Sequence, residues 1–191
     1  LRVAGTGLDD SANTGLLATD NFGYRHWVED QAFGRENYIR GIKGEGGAEI
    51  YHFFVNPQGK AKLKLDPDFL ANVRNAGVRG KGNSVFAGGE SFQIDGAMVH
   101  SYRHVYNTRG AAAGSKWGTG NVDGQRVLMC GAQSLAMADI GMPYWNEDEF
   151  DYDNQYGISI GKIAGFKKPK FMSTITGQLE DFGVVAIDAA I

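Results

Sequence analysis

Apolar and polar positions recur with two different periods along this chain, and each change of period marks an element boundary. From Asp20 to Phe33 the apolar positions Phe22, Trp27, Val28 and Phe33, with Asp20 as a cap, predict a helix despite the interruption at Gly23. Ala48 to Val55 (AEIYHFFV) is rich in β-formers and predicts a buried strand ending at Asn56-Pro57. Proline at a first helical position after an asparagine cap then predicts a short helix through Leu63. Asp66-Pro67 repeats the start signal, and Phe69, Leu70 and Val73 form an amphipathic stripe that Gly77 would stop.

Farther along, Phe92 to Ile94, Asp95-Gly96 and Ala97 to Tyr106 predict a hairpin with Asp-Gly turn chemistry. On its second strand His100, Tyr102, His104 and Tyr106 would share one face. Arg126 to Cys130 predicts a strand, and Gly131 to Asp139, rich in Ala, Leu and Met, predicts a helix. The last strand is expected at Phe182 to Ile187, apolar throughout. Glycine is the compositional outlier: 28 of 191 residues is about twice the usual share of roughly 7%. The glycines follow no repeat, which excludes collagen-like and solenoid chains. They cluster at Gly41 to Gly47 and Gly110 to Gly124, where long flexible loops are expected to serve as contact loops.

A chain of 191 residues is enough for one domain or for one domain with a smaller annexe, and 42% hydrophobic residues supports a globular core. The opening at Leu1 rather than Met leads to the expectation that further residues precede it. A net charge of -3 offers no global basic field for nucleic acid or an anionic membrane, so any contact with packaged nucleic acid would be local and weak. No apolar run approaches the roughly 18 residues of a spanning helix, and no charged-then-apolar signal opens the chain, so a soluble protein is expected. The single cysteine, Cys130, excludes an internal disulfide and a cysteine-based zinc site, in keeping with a reducing compartment or indifference to redox.

Candidate chemistry is sparse. Cys130 stands where the strand RVLM would turn into the helix GAQSLAMA, and a helix N-terminus lowers a thiol pKa. His26, His52, His100 or His104 would then supply a base. Against catalysis, Leu128, Met129 and Ala132 make an apolar setting in which cysteine behaves as a small core residue. The segment HSYRH has histidines four apart but lacks the metalloprotease glutamate and looks extended. Gly77 and Gly82 have phosphate-loop spacing but are followed by Asn83, and Gly41, Gly44, Gly46 and Gly47 do not fit GxGxxG. Neither a cofactor nor a metal is expected.

The most distinctive stretch is Glu147 to Lys170, EDEFDYDNQYGISIGKIAGFKKPK. Five carboxylates fall within seven residues (Glu147, Asp148, Glu149, Asp151 and Asp153), then Ile158, Ile160, Ile163 and Phe166 alternate with glycines and lead to Lys162, Lys167, Lys168 and Lys170. An EF-hand fails here, since the glycine position is Tyr156 and the twelfth position is Lys162. Two readings stay open: a solvated charged face, or complementary segments by which one subunit meets another and sets its register. On the second reading Glu147, Asp148, Glu149, Asp151, Asp153, Lys167, Lys168 and Lys170 are inter-subunit contacts.

Taken in order, the phrases FFVNPQGKAKL, DPDFLANVR, NSVFAGGESFQIDGAMVHSYRHV, RVLMCGAQSLAMA, EFDYDNQYG, IAGFKK and DFGVVAID resemble a known family. It is that of the major capsid proteins of tailed phages related to podovirus N4, and the resemblance covers roughly Ala48 to Ile191. It implies an α+β chain with the Hong Kong 97-like capsid fold: an axial domain with a central sheet and flanking helices over 48–145, and return strands of a peripheral domain over 146–191. Within that domain the long strands would take in Phe150 to Phe171 and Phe182 to Ile187. Residues 1–47, which depart most from the pattern, form an N-terminal segment expected to be part of the peripheral domain. In that family the position of Cys130 is typically aliphatic, which favours a core role for the thiol.

The implied function is a non-enzymatic virion structural protein, a major capsid subunit that self-assembles into an icosahedral shell around double-stranded DNA. Implied partners are copies of itself, scaffolding, portal or decoration proteins, and DNA held by weak non-specific contact, with no membrane. The implied location is the virion capsid, assembled in the host bacterial cytoplasm. An encapsulin-like shell and a cysteine-dependent hydrolase or amidotransferase using Cys130 are the alternatives.

Overall fold

The computed structural model describes residues 2–4, 7–9, 13–44, 47–75, 91–94 and 96–191. In chain order the elements are β1 (Arg2–Ala4), β2 (Gly7–Asp9), α1 (Tyr24–Glu36), β3 (Ile42–Lys43), β4 (Glu49–Val55), α2 (Pro57–Leu65) and α3 (Pro67–Asn75). They continue with β5 (Ser91–Ile94), β6 (Ala97–Ser101), β7 (Gly124–Cys130), β8 (Ala136–Asp139), β9 (Tyr144–Phe150) and β10 (Gln155–Gly161). Last come β11 (Ala164–Lys167), β12 (Phe171–Met172), β13 (Leu179–Glu180) and β14 (Val184–Ala190).

An eight-stranded mixed sheet in the order β2-β1-β14-β7-β4-β6-β5, with β3 added to β4, forms the body. Alternation places Tyr51, Phe53 and Val55 of β4, Ala97 and Val99 of β6, Val127 and Met129 of β7, and Val185 and Ile187 of β14 in one core. Trp27, Leu63 and Phe69 from the three helices close that face. Trp27 stacks on Phe53 with ring centroids 5.4 Å apart, a packed aromatic pair at the centre. The mixed helix-and-sheet class expected from the sequence is therefore present.

The helix starts show where local signals held and where distant residues intervened. Asn56 caps α2 by accepting the Gln58 N–H at 3.1 Å, as its Asn-Pro signature predicts. Asp20 does not cap α1; its carboxylate accepts the Leu17 N–H at 2.8 Å and its carbonyl accepts Ala190 N–H at 2.8 Å, which ties the preceding loop to β14. Helix α1 starts four residues later, and its cap comes from 42 residues away: Asp66 Oδ2 accepts the Tyr24 N–H at 2.6 Å. Asp66 Oδ1 accepts the Asp68 N–H at 3.2 Å, so one carboxylate serves the starts of α1 and α3. A Cβ at Gly23 would lie 2.4 Å from Asp66 Oδ2. The glycine that weakened the helix prediction is the residue that admits its cap.

Two further expectations are corrected. The β6 strand ends at Ser101 rather than Tyr106: Tyr102 N–H makes the last bond of the parallel ladder, to the Val55 carbonyl at 2.9 Å, and Val105 N–H then closes a turn on the Tyr102 carbonyl at 3.2 Å, so His104 and Tyr106 do not continue the strand face of His100. Residues Gly131 to Asp139 form no helix: a turn follows Cys130, and Ala136–Asp139 is strand β8, paired with β11. The last strand, expected at Phe182 to Ile187, is β14 at Val184–Ala190. It lies inside the central sheet, antiparallel to β7 along all seven of its residues and parallel to β1 at Arg2↔Asp188. Arg126 and Asp188, opposite each other in this pairing, form a bidentate ion pair at 2.7 and 2.8 Å.

The glycine-rich segment 110–124 is organised by Trp117, whose backbone exchanges hydrogen bonds with Val122 at 3.1 and 2.7 Å and whose ring packs with Leu16 and Ala190 in a second small core. The expected helix stop at Gly77 and the phosphate-loop spacing at Gly77 to Asn83 lie outside the described residues.

Candidate assembly surface

Between β7 and β14 the chain leaves the sheet and forms a β arm. Strands β8 and β11 pair at its root and β9 and β10 at its tip, closed by the four-residue turn Asp151 to Asn154. Ala164 faces Asp139 but Gly161 faces Tyr144, so residues 140–143 oppose only 162–163 and bulge out of the ladder. Gly141, at φ +115, carries that bulge. Each side of the arm spans fifteen residues or so, on the order of 50 Å when extended.

The register of β9 and β10 assigns its side chains to two unlike faces. On the first, Tyr144 lies over Gly161 and Phe150 over Gly157; a Cβ at either glycine would sit 2.1 Å or 2.7 Å from the ring above it. Glycine-aromatic pairing of this kind restores the packing that glycine removes from a strand. Asn146 Nδ2, on the same face, donates to Asp148 Oδ2 at 3.2 Å. The second face pairs Trp145 with Ile160, Glu147 with Ile158 and Glu149 with Tyr156. Trp145, Tyr156, Ile158 and Ile160 are 57 to 65% exposed there.

The eight charged residues expected to make contacts divide by position. Glu147 and Glu149 border the exposed apolar row, Asp148 points to the opposite face, and Asp151 and Asp153 sit in the turn with φ of 57° and 66°. Lys167 is in β11 at the root, Lys168 pairs with Asp181, and Lys170 lies just before β12. Lys162 pairs with Asp139 at 2.8 Å. Among the described residues no ion pair joins the acidic tip to the basic root. The arm keeps the two charge blocks apart rather than folding one onto the other.

Cys130 ends β7 and is followed by a turn, so no helix dipole acts on it. Burial pushes its thiol pKa up, opposed by a hydrogen bond with Ser134 and the nearby Lys168 charge. His52 lies opposite it in register, but His52 Nδ1 is engaged by His100 Nε2 at 2.9 Å. His100, stacked on Phe54, has its pKa lowered by burial and by the His52 charge. This is the environment of a quiet thiol. Among the described residues, no group of three or more His, Cys, Asp or Glu is placed to hold a metal ion. A groove of about 1220 Å³ between the end of α1 and residues 171–186 mixes Arg40 with Glu36, Glu180 and Asp181 and so favours no single ligand charge.

The sequence reading missed Trp145, Tyr144, Tyr156 and Ile160 as parts of the surface. The signal was available in QYGISIG, whose strict alternation separates Tyr156, Ile158 and Ile160 from the glycines.

A family model described as phage capsid protein matches residues 1–191. The chain belongs to this phage capsid protein family. Over 183 residues it is 51% identical to the major capsid protein of Pseudomonas phage KPP25, an alignment covering 95% of this chain and 48% of that protein. This capsid-family chain thus spans about half the length of the curated relative it matches. In fold it is similar to a chain of the cyanophage Pam1 capsid asymmetric unit, at TM-score 0.67 and 17% identity, covering 99% of this chain and 53% of that one. The capsid of Ralstonia phage GP4 is also similar, at TM-score 0.59 and 23% identity over 94% of this chain and 50% of that one. The resemblance read from the sequence phrases agrees with this membership, and neither the encapsulin-like nor the thiol-hydrolase alternative finds support in the comparisons.

Proposed function

We propose that this chain is part of a major capsid subunit that self-assembles into an icosahedral shell enclosing double-stranded DNA. The observation that carries the reading is the 51% identity, over nearly the whole chain, to a phage major capsid protein. The physics of the arm supports it. A two-stranded ribbon with an uncovered apolar row is marginal in water and gains stability when that row is covered. Shell contacts recur at every subunit, so individually weak interfaces add through multivalency.

In the Hong Kong 97-like description, the eight-stranded sheet with α1 to α3 corresponds to the axial-type domain. The arm and the β12–β13 hairpin correspond to the peripheral strands, with β14 returning to the axial sheet. The role is structural rather than enzymatic, the location is the virion capsid, and assembly takes place in the host bacterial cytoplasm. Copies of the same subunit are the principal partners, with scaffolding, portal or decoration proteins and weakly held DNA as further ones.

The test is electron microscopy of the full-length gene product expressed with and without its neighbouring virion genes. Closed shells or capsomer rings are expected. A dispersed monomer in both conditions would refute the coat role. Cys130→Ser should leave assembly intact.

A further inference from the structure

The two ends of the arm are complementary in volume and in charge. At the tip, one face carries the bulky row Tyr156, Ile158 and Ile160 beside Glu147 and Glu149, which pair with no cation among the described residues. At the root, the β8–β11 register puts Ala136, Ala138, Gly165 and Lys167 on one face, a flat surface of small side chains edged by a lysine. A Cβ at Gly165 would meet nothing within 4 Å, so that face is open. Lys167 is exposed, as is Lys170 beyond it, and neither forms an ion pair among the described residues. Large side chains pack best against small ones when two ribbons lie face to face. Two arms running side by side in the same direction would set acid on acid and base on base. A reversed pair would close on itself as a two-fold contact, whereas an arrangement offset along the arm sets tip on root and leaves a second tip and root for further copies.

Resting on the capsid reading above, we infer that the arm tip of one copy docks on the arm root of a second copy. Tyr156, Ile158 and Ile160 lie on the Ala136, Ala138 and Gly165 face, and Glu147 and Glu149 meet Lys167 and Lys170. The contact is heterologous: each copy offers a tip to one neighbour and a root to another, so it propagates around a closed ring or shell. It assigns the charge blocks to contacts between subunits and gives the opposed signs a task in fixing register.

The experiment is charge exchange in the full-length subunit, read as shell yield by sedimentation and electron microscopy. Glu147→Lys with Glu149→Lys is expected to lower shell yield about tenfold or more, because the lost contact recurs at every subunit. Asp148→Lys, a single charge reversal on the other face, is expected to assemble normally and controls, with Glu147→Lys alone beside it, for folding. Adding Lys167→Glu and Lys170→Glu to the first variant is expected to restore shells. An independent check is Ile158→Cys with Ala138→Cys, which on oxidation should give inter-subunit disulfide ladders in assembled particles. Wild-type shells together with unimpaired assembly of the Glu147→Lys, Glu149→Lys variant would overturn the tip-to-root contact and leave the capsid reading standing. So would a crosslink at position 158 only to some other segment. Failure of the wild type to form shells would overturn both.

Discussion

At the scale of single residues, half-buried Asp66 joins two helix starts. It accepts the first N–H of α1 and an early N–H of α3, and losing one such cap costs about 1 kcal/mol, up to roughly 2. Asp66→Ala should therefore destabilise the protein by roughly 2 kcal/mol in urea unfolding, whereas a value near that of an ordinary surface substitution would show that neither cap matters. The His52–His100 pair predicts a pH dependence. His100 is held below its ordinary pKa of 6.5 by burial and by His52, so the unfolded chain takes up this proton first as pH falls. Stability from this site is complete above about pH 6.5 and declines as pH drops through that value toward the folded pKa. Phe54 stacks on His100, and Cys130 at the end of β7 lies opposite His52 in register. His100→Gln should flatten the fall in urea midpoint between about pH 7 and pH 5.5; parallel wild-type and variant curves would assign that fall to other groups.

Among the elements, the arm is where local propensity and tertiary pairing disagree most. Ala, Leu and Met made residues 131–139 look helical, yet Ala136–Asp139 pairs with Ala164–Lys167 as a strand. The partner lies 25 residues or more along the chain, and no local window contains it. The tip was more legible, since QYGISIG alternates and the register converts that alternation into an apolar face and a glycine-aromatic face. Gly161→Val would drive a side chain into the Tyr144 ring. Because the ring is half-exposed and able to move, the expected loss is local, about 1 kcal/mol of arm stability. Hydrogen exchange of β9 and β10 amides should then quicken about fivefold, with the urea midpoint of the body unchanged. A shifted body midpoint would mean that arm and sheet unfold as one unit.

For the whole molecule, the contrast between a buried sheet and an exposed arm sets the expected behaviour before and after assembly. In the free subunit chymotrypsin should cut first at Tyr152 or Tyr156, which are 102% and 65% exposed near the arm turn. In shells the same sites should be protected at least tenfold if the arm is covered by a neighbour, since cleavage follows the population of the open form. Equal cleavage before and after assembly would place the arm on an uncovered surface of the particle.

What the sequence determined by itself was whatever depends on neighbours in the chain: the Asn56-Pro57 and Asp66-Pro67 helix starts, the alternating strands β4 and β7, the segregation of acid from base between 147 and 170, and a series of phrases specific enough to suggest a capsid family. Tertiary structure alone decided the rest. It moved the start of α1 to Tyr24 by supplying Asp66, turned 136–139 into a strand by supplying 164–167, and drew β14 into the central sheet between β1 and β7. Short-range signals record steric and hydrogen-bonding preferences within a few residues, whereas these outcomes depend on hydrogen-bond partners tens of residues away, and only the folded chain brings those within reach.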